Sequence, residues 1–357
     1  MTAGGAQTKL GLVIHGGTMR TVVTAAQRAE AAGFGSVWTT EFYDRSATVT
    51  LAAIASATER IRLGSAIMYA VGRSPLVLAI EASDLAQLSG GRFTLGLGMG
   101  TKQMQAGWHG ADPSSPAPKV EELVPLLRRI WSMGPAGVQH EGRFYRLDLV
   151  PTGLQNQASS VQVQLAAVNP RMITAVGRVG DGLIGHPLFT RRYVAEVVKP
   201  TLLAAAEEAG RPRPRLTGYV MCAISSDPEQ ARLDAKAQIA FYSIVRTYAP
   251  IMELEGFEAE AASAREAWKR GDREGMIAAI SDRMCDAIAV AGTPDEVAER
   301  LGEVAARYDE ALLYSPSFGL PEERLRDNLD AILDTFATSG TTAGDPTLTA
   351  SLAESGR

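Results

Sequence analysis

The stretch 61–100, IRLGSAIMYAVGRSPLVLAIEASDLAQLSGGRFTLGLGMG, constrains the fold more than any other part of the chain. Two short apolar runs, 61–69 and 92–98, flank a helical pattern over 75–89. That is a strand, a crossover helix and a second, parallel strand. Each strand passes straight into a Gly-rich or polar turn at its C-terminal end. In repeating β/α folds ligands sit at that end.

The unit repeats along the chain. KLGLVIH (9–15) reads as a strand buried on both faces, with Gly16-Gly17 as its turn and Thr18 as a helix N-cap. A helical pattern over 19–32 stops at Gly33, and SVWTT (36–40) is the next strand, ending at Glu41. A helix is expected over 48–58. After Gly98 the rhythm changes: 101–149 carries Trp108, His109, a Pro/Ser-rich segment and one good helix over 120–131, and reads as an insertion at the ligand end. Strands are then expected at 161–168, 181–186, 215–224 and 310–314, with a long helical region over 227–284 broken near Pro250 and Gly256. Eight strands alternating with helices predict a (β/α)8 barrel, a TIM barrel with an insertion after strand 4. One domain is expected over 1–338, with a polar, Gly/Pro-bearing disordered tail over 339–357. The rival doubly wound sheet lacks a GxGxxG after its first strand, and Gly96-x-Gly98-x-Gly100 has the wrong spacing and the wrong place.

Charge and composition exclude several classes. The chain of 357 residues has a formal net charge of −5, which gives no basic footprint for nucleic acid. Cys222 and Cys285 have no CxxC spacing, so neither a disulfide framework nor a zinc site is expected. No apolar run is long enough to span a bilayer and no signal peptide is apparent, so the expectation is a cytoplasmic protein without membrane contact.

The residues at the predicted strand ends should converge on one pocket: His15, Glu41, Met68, Tyr69, Gly98 to Thr101, Val168 to Arg171, His186, Tyr314 and Ser315. The set is poor in acid/base groups and rich in small and apolar ones. It suits a cofactor that carries the chemistry while the protein supplies shape. His15, Glu41 and His186 as a metal triad is disfavoured, because the HxH of metal-dependent barrels is absent and position 17 is Gly. No lysine lies at a strand end except Lys102, which is past it in the loop, and this speaks against a Schiff base. Asn169-Pro170-Arg171 after a strand has the form of a phosphate cradle, and equally that of an ordinary helix start.

Six segments, in order, carry a resemblance. They are AExxGFxSVW (29–38), TLAAIAxATERIRLG (50–64), RSP (73–75), GGRFTLGLGMG (90–100), LAAVNPRM (165–172) and AGTPDEV (291–297). Together they resemble the bacterial luciferase-like oxidoreductases, and most of all the coenzyme F420-dependent branch. That branch includes methylenetetrahydromethanopterin reductases and glucose-6-phosphate dehydrogenases. The resemblance implies a flavin-like ring lying across the strand ends and passing Ser65, Ala66, Ile67 and Met68, with a non-prolyl cis peptide at Ala66–Ile67. It places phosphate contacts on Val168, Asn169, Pro170 and Arg171, with Gly177 and Arg178 nearby, and brings Gly98, Met99 and Gly100 to the ring. It also implies a homodimer. The sugar-phosphate dehydrogenases carry Asp-His after the second strand and an acid after the fourth-strand glycines. Here these positions hold Glu41-Phe42 and Thr101-Lys102, which argues against sugar-phosphate oxidation. Glu41, with His15 and His186 next, is the expected titratable group of the site; Glu41 reads equally as a hydrogen-bonding anchor.

The expectation is therefore an F420-dependent oxidoreductase that moves a hydride between the deazaflavin C5 and a small organic substrate. The alternatives are an FMNH2-dependent monooxygenase using FMN, and a non-catalytic flavin-binding protein. The insertion 102–150, with Trp108, His109, Phe144 and Tyr145, would cover the pocket.

Overall fold

The fold is that of a computed structural model, which describes residues 9–152 and 161–337. The tail expected from residue 339 lies outside the described residues. Eight parallel strands close a barrel: β1 Lys9–Ile14, β2 Ser36–Thr39, β3 Arg62–Ser65, β4 Phe93–Gly98, β5 Gln162–Ala166, β6 Gly182–Ile184, β7 Arg215–Ile224 and β8 Glu310–Tyr314. Each pairs with the next in sequence, and β8 closes on β1 with Lys9 opposite Glu310 and Val13 opposite Tyr314. The strands are continuous apolar runs because helices cover them outside and side-chain layers fill them inside. Leu12, Val37, Leu63, Leu95, Val163 and Leu183 are all buried.

The helices begin where the sequence offers a cap. Thr18, Ser46, Ser74, Asn169 and Thr293 each accept a hydrogen bond from a backbone N–H in the first turn that follows. The N-terminal end of the barrel is closed by charge. The buried carboxylate of Glu310 accepts from Arg62 at 2.6 Å, Arg215 at 3.1 Å and the Ser36 hydroxyl at 2.6 Å, and the Trp38 indole N–H donates to Ser36. This end is built for stability and leaves the opposite end for chemistry.

Two elements differ from expectation. Ala289–Gly292 is a short strand paired with the last four residues of β7, where the sequence predicts no strand. Four small residues between two helices carry no strand signature of their own. The insertion contains, besides the helix Pro116–Trp131, a π-helical turn at Met104–Trp108 and an antiparallel hairpin of Val138–Glu141 with Arg146–Leu149.

Candidate active site

Two cavities open among the loops at the C-terminal strand ends, and Tyr69 lines both. The strand-end cavity, about 470 Å3, is walled by Ile67, Met99, Val168, Asn169, His186 and Tyr248. The aromatic cavity, about 600 Å3, is bounded by Glu41, Phe42, Tyr43, Arg73, Trp108 and His109.

Missing side chains on β4 shape the strand-end cavity. A Cβ at Gly98 would stand 2.6 Å from Ile67 Cδ1, so the Ile67 side chain lies directly over the strand. A Cβ at Gly96 would fall 1.8 Å from the Ser65 carbonyl oxygen; only glycine lets β3 approach so closely. Ser65 is fully buried and staples the two strands, donating to the Gly96 carbonyl at 2.8 Å and accepting from its N–H at 2.9 Å. The Ala66–Ile67 peptide bond is cis. Of Ser65, Ala66, Ile67 and Met68, only Ile67 reaches the cavity; Met68 is wholly buried.

Also lining the cavity, Asn169 caps the helix Pro170–Val179, its side chain accepting from Met172 N–H at 3.0 Å. Pro170 has no N–H. The N–H groups of Val168, Asn169 and Arg171 donate to no described residue, and the exposed Arg171 guanidinium pairs with no described carboxylate. That is a small basket of free donors at a helix N-terminus. Gly177 and Arg178 belong elsewhere. Gly177 lets the helix pack on Lys199–Glu208, where an added Cβ would lie 2.6 Å from that of Ala205. Arg178 is in the last turn, paired with Glu121 and Glu208, and a helix rises about 1.5 Å per residue away from its N-terminus.

His186 lines the cavity. Its Nδ1 accepts from Leu188 N–H at 3.2 Å, so Nε2 carries the proton of the neutral ring. Burial drives its pKa down to about 3. Tyr248 packs at 4.0 Å and Tyr242 at 4.8 Å from the ring. The result is a permanently neutral hydrogen-bond donor and not a proton reservoir near pH 7.

His15 does not join them. It packs on Tyr314 at 4.9 Å, both ring nitrogens are buried without partners among the described residues, and burial lowers its pKa to about 4. It borders a separate space of about 60 Å3 with Gly17 and Leu325. Glu41 is in the aromatic cavity and is fully engaged. Arg73 meets it through two nitrogens, at 2.5 and 2.8 Å, and Tyr69 N–H donates to it at 2.9 Å. The single pocket expected from the strand ends is therefore three separate spaces.

Residues not anticipated include Gln105, buried beside the cavity and donating to the Gly100 carbonyl at 3.3 Å, and Tyr248. Tyr248 arrives from the turn Arg246–Tyr248 inside the long helical region. Burial pushes its hydroxyl up to about 12, and burial plus the Glu41 charge does the same for Tyr69, so both remain protonated donors.

The barrel has known counterparts. The sequence matches the luciferase-like monooxygenase family over residues 4–311, and the chain belongs to that family. A 5,10-methylenetetrahydromethanopterin reductase of Archaeoglobus fulgidus is 28% identical over 290 residues, covering 78% of this chain and 83% of the relative. The coenzyme F420-dependent tetrahydromethanopterin reductase structure from Methanopyrus kandleri superposes with a TM-score of 0.77 at 22% identity, covering 92% of this chain and 98% of that one. An F420-dependent secondary alcohol dehydrogenase, solved with an F420–acetone adduct, follows at 0.71 and 17%, over 92% and 98% of the two chains.

Proposed function

We propose that this protein is an F420-dependent oxidoreductase that moves a hydride between the deazaflavin C5 and a small organic substrate. The observation that carries the reading is the strand-end cavity: Ile67 and Met99 give it an apolar lining and Val168 and Asn169 bring free N–H donors to it, with Arg171 in the helix turn that follows. It combines a surface for a flat ring with a basket for a phosphate. The bound deazaflavin would supply the hydride-carrying carbon, and the protein's share is then orientation and exclusion of water. Val168, Asn169 and Arg171 would hold the phosphate. Ile67 and Met99 would press against the ring and keep water off it. His186 Nε2–H would donate to a polar ring edge. The Glu41–Arg73 pair, holding Tyr69 N–H, fixes the wall between the two cavities. The relatives named above as F420-dependent support the choice of cofactor.

The family's description as monooxygenases favours a second reading, oxygenation with FMN. Oxygen uptake separates the two. An electrode trace that stays flat with F420 present and substrate consumed supports hydride transfer; oxygen consumption stoichiometric with substrate and requiring FMN overturns it.

We also propose a cytoplasmic homodimer. No helix among the described residues is long and apolar enough to cross a membrane, and both cysteines are buried free thiols, as in reducing compartments. Val49 on the helix Ala47–Ala57, with Val77, Ile80 and Leu88 on the neighbouring helix Pro75–Leu88, forms an exposed apolar row that a second copy would cover. Sedimentation at a monomer mass would contradict it.

A further inference from the structure

The aromatic cavity has a composition that the cofactor reading does not use. Phe42, Tyr43 and Trp108 are each at least 40% exposed, an unusual concentration of apolar ring surface left in water. Their arrangement is ordered. Trp108 stands nearly perpendicular to Phe42, Tyr43 and Tyr69, at interplanar angles of 85°, 81° and 90° and centroid distances of 5.1, 5.9 and 6.5 Å. Edges and faces set at right angles make walls on which another ring can stack or abut.

The charged side chains that line the cavity, Glu41 and Arg73, are already committed. Arg73 gives two nitrogens to Glu41 and its Nε to Glu81 at 2.9 Å, so one guanidinium serves two carboxylates. Among the described residues that line the cavity no other cation is left for an anionic ligand, and the second carboxylate on Arg73 leaves an excess of negative charge that repels one. Among the described residues His109 Nε2 is buried without a partner, its ring 4.9 Å from Tyr69. The π-helical turn Met104–Trp108 separates this cavity from the strand-end cavity, with Met104 on one side and Trp108 on the other, and Tyr69 is common to both.

We propose that the aromatic cavity is the substrate subsite and takes an uncharged, flat conjugated ring, gripped by Phe42, Tyr43 and Trp108 and hydrogen-bonded to His109. Its assignment to substrate rests on the neighbouring cavity being the cofactor site; its preference for flat, uncharged rings does not.

The test is isothermal titration of the full chain with three probes: 2-naphthamide, its anionic counterpart 2-naphthoate, and the saturated decalin-2-carboxamide. The expected result is measurable binding of 2-naphthamide, with each of the others weaker by about tenfold or more. Trp108→Leu should weaken 2-naphthamide by about tenfold, with Tyr43→Ala acting in the same direction. Both residues are exposed, so both variants should fold, and circular dichroism checks that. F420 titrated against the same proteins should bind the variants within about twofold of the parent. Equal binding of the three probes, no binding of 2-naphthamide, or an unchanged affinity in Trp108→Leu overturns the proposal. Binding of 2-naphthamide without binding of F420 overturns the cofactor reading and leaves the ring site standing.

Discussion

Glu41 and Arg73 meet in a two-point ion pair, and the same carboxylate receives Tyr69 N–H. Both residues are largely buried, and Arg73 is held further by Glu81. A carboxylate that accepts three hydrogen bonds, two of them from one guanidinium, is a clamp on the loop after β3, and has little to offer as a mobile acid or base.

Glu41→Gln therefore reads the clamp. It keeps the shape but removes the charge that opposes Arg73. We expect a stability loss of about 2–3 kcal/mol, seen as a lower melting temperature. The pH profile of turnover should keep its shape. Loss of a pH-dependent limb at unchanged stability would identify Glu41 as a general acid or base instead.

The buried histidines set the acid limit of the fold. His15 and His186 are held neutral, with pKa values near 4 and 3, against the ordinary 6.5. Below pH 6.5 the unfolded chain takes up protons that the native one refuses, so stability falls as pH drops from 6.5 towards 4. It is unaffected by these groups above about pH 7. Each contributes at most about 1.4 kcal/mol per pH unit in that window. His15→Phe keeps the ring packed on Tyr314 and should flatten the acid slope in chemical denaturation series from pH 7 to 4. An unaltered slope would contradict the assignment.

The two β4 glycines should separate fold from site. Gly96→Ala drives a Cβ into the Ser65 carbonyl, a backbone atom that cannot yield, and should cost several kcal/mol or prevent folding. Gly98→Ala meets side chains and no backbone, Ile67 at Cδ1 (2.6 Å) and Cγ1 (2.9 Å) with Ala166 Cβ at 3.4 Å, and displaces Ile67 within the strand-end cavity. Its expected effect is about tenfold weaker F420 binding with a melting temperature within a few degrees of the parent.

Glu310 is predicted to matter for stability alone. Glu310→Gln leaves Arg62 and Arg215 facing a neutral group at the closed end, for a loss of about 3–5 kcal/mol. Turnover per folded molecule should not change, measured as kcat on active sites titrated below the melting transition.

The barrel was legible because parallel strands buried on both faces must be written as unbroken apolar runs, and seven-residue segments such as KLGLVIH admit few other readings. Asn169-Pro170-Arg171 was legible for a local reason too, since capping and the missing proline N–H act within one turn. What failed was long-range. Ala289–Gly292 is a strand only because β7 is long enough to receive it. His15 and Tyr314, both expected at strand ends, do pack together, but which space His15 borders is set by side-chain packing that no local pattern records. Tyr248 comes to the cavity from a turn between helices, and nothing in its neighbours marks it.

The central claim is that the strand-end cavity binds a deazaflavin. Its most direct test is a paired titration of the purified apo-protein with F420 and with FMN, followed by cofactor fluorescence at physiological salt. The account predicts F420 binding at micromolar concentration or tighter, with FMN weaker by about tenfold or more, and loss of F420 affinity in Gly98→Ala. Preference for FMN, or no binding of either, would contradict it.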